Sequence, residues 1–369
     1  MIEPKYYSVL GEGGNKISIS SVKFFILKLD IIVSCIRVLV EQAAMMHKKK
    51  IYNLALLFGR SALAAMAFML LVVSTAVGFE PKKVECLAPA KRGGGHDITC
   101  QLLVRTLQES LLLDAPISIR YMPGGIGALA YNYNINQRTH DAQVITAASA
   151  GSLLLIALNK FGGYSVSDLR WLGGLGTDFG IVAVRTDSTL NTLEEMVGGL
   201  KIDSRSLVFG VAGSIGSQDW MKAALILDVG GLDPLSVRYI SYEGGGEAVN
   251  SLLKGHIDVF TGELAEVASF IDSEQIKVLA VLAEKRLEGV YASISTAREQ
   301  GFDVVWPVWR GYYLPPGIKD DEYRWWVNTL RRLSTTKEFQ SHRRKLQLFP
   351  FLLVGEQFDL YVRDNVDQM

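Results

Sequence analysis

Four times along this chain a short β-branched run gives way to a glycine-rich turn and then to apolar residues at helical spacing. The turns are Gly93-Gly94-Gly95-His96-Asp97, Pro123-Gly124-Gly125-Ile126-Gly127, Gly213-Ser214-Ile215-Gly216-Ser217 and Glu243-Gly244-Gly245-Gly246. Strands alternating with helices at this interval predict an α/β chain with parallel sheets covered on both faces. Predicted strands are 84–88, 117–121, 144–147, 181–185, 207–211, 237–241, 257–261 and 276–282. Predicted helices are 98–112, 128–136, 193–200, 218–228, 247–254 and 265–271. The last 50 residues change character: Trp325, Trp326, Leu330, Leu333 and Phe339 recur at helical spacing and read as helices packed over a finished core. With 369 residues, 49% of them hydrophobic, the chain is long enough for two well-buried domains, and disordered or polytopic membrane classes are excluded.

In a parallel sheet such turns lie at the carboxyl ends of the strands, where ligands bind. Glycine lets backbone approach a ligand, and the free N–H groups of a helix start favour negative charge. Four turns facing one cleft suit a small anion with several oxygens. Each turn alone also has a purely geometric explanation, and Asp97 and Ser217 read as helix caps. No Gly-Lys-Ser/Thr ending and no dinucleotide glycine spacing is present, which argues against nucleotides.

Catalytic patterns are sparse. His96, His140 and His256 have no His or Cys at metal-ligand spacing, and no Gly-x-Ser-x-Gly elbow occurs, so neither a metal nor another cofactor is expected. Glu263 and Glu266 form a carboxylate pair that a helix N-terminus also explains.

The N-terminal region carries its own signal. Met46, His47 and Lys48 to Lys50 are basic, Ala62 to Val73 is a 12-residue run without charge, and Ser74-Thr75-Ala76 is small. That order predicts a secretory signal over 45–76, cleaved after Ala76, with an uncleaved anchor as the alternative. Residues 1–44 fit neither role and are read as a non-native extension. Residues 77–369 then carry 29 basic and 34 acidic residues, a formal net charge of −5, which disfavours nucleic acid as a partner. Cys86 and Cys100 remain in the exported part. They are expected to form a disulfide worth roughly 3 kcal/mol, two buried thiols being the alternative.

Taken together and in order, Cys86-Leu87-Ala88-Pro89-Ala90-Lys91-Arg92-Gly93-Gly94-Gly95-His96-Asp97, Tyr121 to Gly127, Gly213 to Trp220 and Tyr242 to Glu247 resemble the extracytoplasmic receptors of tripartite tricarboxylate transporters, the Bug family. Leu279-Ala280-Val281, Lys285-Arg286 and Trp306 through Gly311 extend the resemblance over the exported chain. The cysteine pair and Gly213 to Trp220 look like its citrate-binding branch.

The resemblance implies a two-domain periplasmic binding fold, type II-like, each domain a mainly parallel sheet flanked by helices. Domain I would be 77–180 with 282–369 and domain II 181–281, with the ligand cleft between them and crossings near Ile181 and Lys277 as the hinge. It implies a non-enzymatic periplasmic receptor that binds citrate or a related tricarboxylate and docks to one large and one small integral membrane subunit. Carried onto this chain, the ligand residues would be Gly93, Gly94, Gly95, His96, Asp97, Ser149, Ser152, Gly213, Ser214, Gly216, Ser217, Gln218, Gly244, Gly245 and Gly246. Arg92 stands where the family usually has Pro. Arg310 stands where it has an uncharged residue, and is expected either to pair with a ligand carboxylate or to form a surface or interdomain salt bridge. Alternatives are a receptor for dicarboxylates or aromatic acids, one that serves a sensor kinase, and a periplasmic enzyme acting on organic acids.

Overall fold

The computed structural model describes residues 30, 32–38 and 79–367. The chain divides into two compact units, Met1–Val77 and Gly78–Met369. In the first, residues 30 and 32–38 are helical and exposed. The signal segment 45–76 and most of the preceding extension lie outside the described residues.

The second unit contains two sheets. Strands β1 (Val84–Ala88), β2 (Ile117–Tyr121) and β3 (Val144–Ser149) enter the first sheet, followed by β4 (Arg170–Phe179). The chain then crosses to a second sheet built from β5 (Ile181–Arg185), β6 (Val208–Ala212), β7 (Arg238–Tyr242), β8 (Val259–Phe260) and β9 (Ile276–Val281). It returns with β10 (Pro307–Leu314) and ends with β11 (Leu353–Val354) and the helix Glu356–Asp367. The first sheet has the order β11-β4-β10-β3-β1-β2 and the second β7-β6-β8-β5-β9.

Both sheets are mixed, a correction to the mainly parallel sheets expected from the sequence. β1 pairs parallel with β2 and β3, and β6 with β7 and β8. The crossing strands run the other way: β10 is antiparallel to β3 and β4, and β5 to β8 and β9. The strand by which the chain enters each sheet at a crossing, β5 going out and β10 coming back, runs against both its neighbours.

The return crossing also lies later than residue 282. Leu282, Ala297, Phe302 and Val304 pack into the core of the second lobe with Val182, Val184 and Phe209. The hydrogen bonds of Val281 N–H to Ser295 O and Ala297 N–H to Val281 O, each 3.0 Å, hold the intervening segment against β9. The second lobe therefore extends to Trp306.

Strand alternation explains the layering, because successive side chains point to opposite faces. Leu172 and Tyr312 belong to one core of the first sheet, while their neighbours Trp171 and Tyr313 belong to the other. Val182 and Val184 face one core of the second sheet, Ile181 and Ala183 the opposite one. Trp326, Leu330, Leu333 and Phe339 of the C-terminal helices are buried in the first lobe's core, as their spacing predicts, and Trp326 Nε1–H donates to Ala142 O at 2.7 Å. β4 was invisible in the sequence because it carries Gly173, Gly174 and Gly176. A Cβ on Gly174 would lie 2.4 Å from Phe351, so the C-terminal aromatic layer needs glycine beneath it.

Cys86 and Cys100 are bridged, with Cα atoms 5.7 Å apart. The bond joins β1 to the helix Gly95–Ser110 and so brackets the first glycine turn.

Candidate functional site

Each of the four glycine turns leaves the carboxyl end of a strand and opens a helix: β1 to Gly95–Ser110, β2 to Ala128–Asn136, β6 to Gln218–Val229 and β7 to Gly245–Leu253. The ends of the two sheets face each other across one cleft. Its inner part is a cavity of about 40 Å³, reached by Gly94, Gly95, His96 and Ser149 from the first lobe and by Ser217, Gln218, Gly244 and Gly245 from the second. Arg310 also lines it. That volume holds water and no organic acid, so a larger ligand requires the lobes to part. A wider space of about 510 Å³ adjoins it, where Gly213 and Ser214 meet Ile126, Lys160 and Glu243; Ile126, Leu155, Ser217 and Glu243 border both.

The remaining residues named from the sequence sit behind these walls. Asp97 Oδ2 accepts from Gly93 N–H at 2.8 Å and Oδ1 from the Tyr121 hydroxyl at 2.9 Å, which folds the first turn back on its own helix. Ser149 and Ser152 cap the helix Ala150–Ala157 reciprocally, and Ser152 Oγ lies 3.5 Å from His96 Nε2. Gly93 and Gly246 touch backbone to backbone across the lobes, where a Cβ on Gly246 would come within 2.6 Å of Arg92 O. Gly216 has φ +88°, in the left-handed region that glycine enters without strain, and faces Leu158 of the first lobe.

Beneath the cavity runs a buried ionic chain. Arg310 Nη2 donates to Asp178 Oδ2 at 3.0 Å and lies 3.4 Å from Glu263 Oε2. Lys222 Nζ lies 2.7 Å from Glu263 Oε1 and 2.8 Å from Asp219 Oδ1. Gly95 N–H donates to Glu266 Oε1 at 2.8 Å, and Glu263 N–H to Glu266 Oε2 at 3.2 Å. Arg310, Asp178 and Gly95 belong to the first lobe and Glu263, Glu266, Lys222 and Asp219 to the second, so the chain ties the lobes together. At the surface Lys91 adds an ion pair with Glu247 across the same gap.

Burial sets the protonation of this cluster. His96 is lowered to about 4 by desolvation and by the Arg310 charge, so its imidazole is neutral. Glu263 is destabilised as an anion by burial, yet Lys222 and Arg310 outweigh that and bring it to about 2. Glu266 moves the opposite way, well above the ordinary carboxyl range, through burial and then the charges of Glu263 and Asp219. Asp178 is also raised, chiefly by burial, with Arg310 opposing. The site is therefore a set of fixed charges and backbone donors. Its one serine–histidine contact uses a hydroxyl that already accepts from Ser149 N–H at 3.2 Å.

Arg310 thus bridges the lobes through Glu263, in a buried and not a surface salt bridge, while its flank still borders the cavity; its Nε is buried without a partner. The sequence reading missed Asp178, Asp219 and Lys222. The Asp219 to Lys222 spacing of three, on one helix face, is the signal that could have found two of them; nothing local marks Asp178.

Residues 105–369 match the model of the family described as the tripartite tricarboxylate transporter family receptor. The protein BugT of Bordetella pertussis is 23% identical over 244 residues, covering 65% of this chain and 72% of that protein. Among solved structures, MatC from Rhodopseudomonas palustris with bound malate superposes with TM-score 0.68 at 19% identity, covering 79% of this chain and 98% of that one. The R. palustris protein Rpa4515 with adipate gives TM-score 0.69 at 16% identity, covering 78% and 94%. The two-lobed fold, the convergent glycine turns and a family match over more than half its length agree: this chain belongs to the tripartite tricarboxylate transporter receptor family.

Proposed function

We propose that the protein is a periplasmic receptor that closes its two lobes on a small organic acid and delivers it to the large and small membrane subunits of a tripartite transporter. Citrate or a related tricarboxylate is the ligand to test first, on the resemblance of the cysteine pair and the Gly213 to Trp220 stretch to the citrate-binding branch. Malate and adipate, bound by relatives of the same fold, extend the test to dicarboxylates.

One observation carries this reading: helix starts from both lobes, at Gly95 and at Gln218, converge on one cavity beside the guanidinium of Arg310. Helix-start N–H groups, a hydroxyl and a guanidinium are the donors that recognise carboxylate oxygens. Bridging water would adjust the same donors to acids of different length.

A thermal-shift panel of citrate, isocitrate, tricarballylate, malate, succinate, adipate and benzoate tests it. Ligand at a hundred times its dissociation constant adds ~2.7 kcal/mol of stability. A shift with tricarboxylates alone supports the citrate reading. A shift with another acid moves the substrate, and no shift across the panel removes the function.

A further inference from the structure

We propose that the carboxyl group of Glu266 is a built-in occupant of the anion cradle, holding the start of helix Gly95–Ser110 from the opposite lobe until a ligand carboxylate displaces it. The proposal rests on the reading of this cleft as a carboxylate receptor and names how that site is regulated.

The helix Gly95–Ser110 has Gly94 as its N-cap and receives no side-chain cap from its own turn. A helix start with free N–H groups attracts an anion. Here the acceptor comes from Glu266, whose Oε1 takes the Gly95 N–H at 2.8 Å in a buried contact between lobes. The fourth glycine turn fits round the same group. A Cβ on Gly245 would lie 2.3 Å from both oxygens of Glu266, and one on Gly262 would lie 2.7 Å from Oε2. The glycines of the first and fourth turns therefore enclose a carboxyl group, and the protein supplies it.

Two further observations favour a ligand anion over the Glu266 carboxyl group in the cradle. Glu266 makes no ion pair among the described residues; its oxygens accept from the Gly95 and Glu263 N–H groups, and burial with the charges of Glu263 and Asp219 outweighs the opposing Arg310 and Lys222, so its ionised form is disfavoured in the cradle. Arg310 is 2% exposed and lies against Gly95, its guanidinium within 2.0 Å of where a Cβ there would sit, and its Nε has no partner. A buried, unpartnered donor beside the helix start remains available to a ligand oxygen.

A ligand carboxylate placed at Gly95 while Glu266 remained would meet a second carboxyl at contact distance. Displacement removes that conflict, because Glu266 rides on the helix Leu264–Asp272 of the second lobe and withdraws as the lobes part. The wild-type affinity is then the intrinsic affinity reduced by the fraction of molecules whose cradle is free.

The test uses the purified protein and its Glu266→Ala and Glu266→Gln variants. Citrate, malate and adipate are titrated by calorimetry, and the ligand-free proteins are compared by small-angle X-ray scattering. Both variants are expected to bind the preferred acid at least about tenfold more tightly, ~1.4 kcal/mol. The ligand-free Ala variant is expected to show a larger radius of gyration as the interlobe contact is lost. Wild-type binding with equal or weaker binding by both variants overturns the proposal alone, as does unchanged scattering. Silence of all three proteins toward every acid overturns the receptor reading and this proposal together. The Gln variant keeps the shape but has a single acceptor oxygen and cannot hold both the Gly95 and Glu263 N–H groups, so it carries the comparison if the Ala variant does not fold.

Discussion

Gly180 N–H donates to Trp306 O at 2.9 Å, joining the two crossings of the chain between the lobes. Leu282 N–H donates to Gly180 O at 2.7 Å and Trp306 N–H to Leu282 O at 2.8 Å, so each crossing is fixed to the same residue of the second lobe. Both connections are single extended segments, and rotation about them can open the cleft without breaking either core.

Gly180 has no room for a side chain. A Cβ there would lie 2.6 Å from Lys222 Cδ and 3.0 Å from Leu282 Cδ1. Lys222 cannot swing away, since its ammonium is shared by Asp219 and Glu263 in a buried site. Gly180→Ala is expected to destabilise the protein by about 1–3 kcal/mol, the range for overpacking a filled core. Urea unfolding of the two proteins checks this, and an unchanged midpoint would show that the crossing yields freely.

Reduction of Cys86–Cys100 tests a different constraint. The bridge closes a short loop round the first glycine turn, so its loss frees the unfolded chain by roughly 3 kcal/mol in the chain-entropy model. Because the turn lies inside the closed loop, the Cys86→Ser, Cys100→Ser protein should also bind its acid less tightly. Calorimetry that finds stability lowered and affinity intact would limit the bridge to folding.

How much of this was legible follows from which contacts are local. β1, β2, β5 and the helix Ala128–Asn136 fall on their predicted residues because alternation, β-branching and helical spacing act within a few positions. The glycine turns were visible for the same reason. β4 and β10 were not predicted: their glycines and aromatics are chosen by neighbours far along the chain, as Gly174 is by Phe351. The ionic chain was hidden similarly. Glu263 and Glu266 read as the start of a helix, and they do cap it reciprocally, but their partners Arg310, Lys222 and Gly95 are distant in sequence.

His96 offers a pH test whose sign is fixed by its environment. Its folded value near 4 lies below the unfolded 6.5, so the unfolded chain binds more protons between those limits. Stability from this group is present above pH 6.5 and is lost as pH falls toward 4, a change of ~3 kcal/mol. Glu266 and Asp178, raised in the folded protein, act in the opposite direction, so the wild-type profile alone does not isolate the histidine. The difference between wild type and His96→Gln does. That difference should shift by about 3 kcal/mol across the window, and a constant difference would show that His96 titrates normally in the folded protein.

Arg310 is where scaffold and ligand roles must be separated by a second substitution. Arg310→Ala leaves Asp178 buried beside Glu263 with no guanidinium between them, and is expected to destabilise by about 3–5 kcal/mol. Asp178→Asn added to it removes the stranded carboxylate, Glu263 keeping Lys222, and should recover part of the loss, since the pair is in direct contact and its effects are not additive. Stability then no longer confounds binding. If the double variant regains stability and still binds the acid tenfold or more weakly, ~1.4 kcal/mol, Arg310 touches the ligand. If binding recovers with stability, the guanidinium serves the interlobe bridge alone, and recognition falls to the helix starts at Gly95 and Gln218.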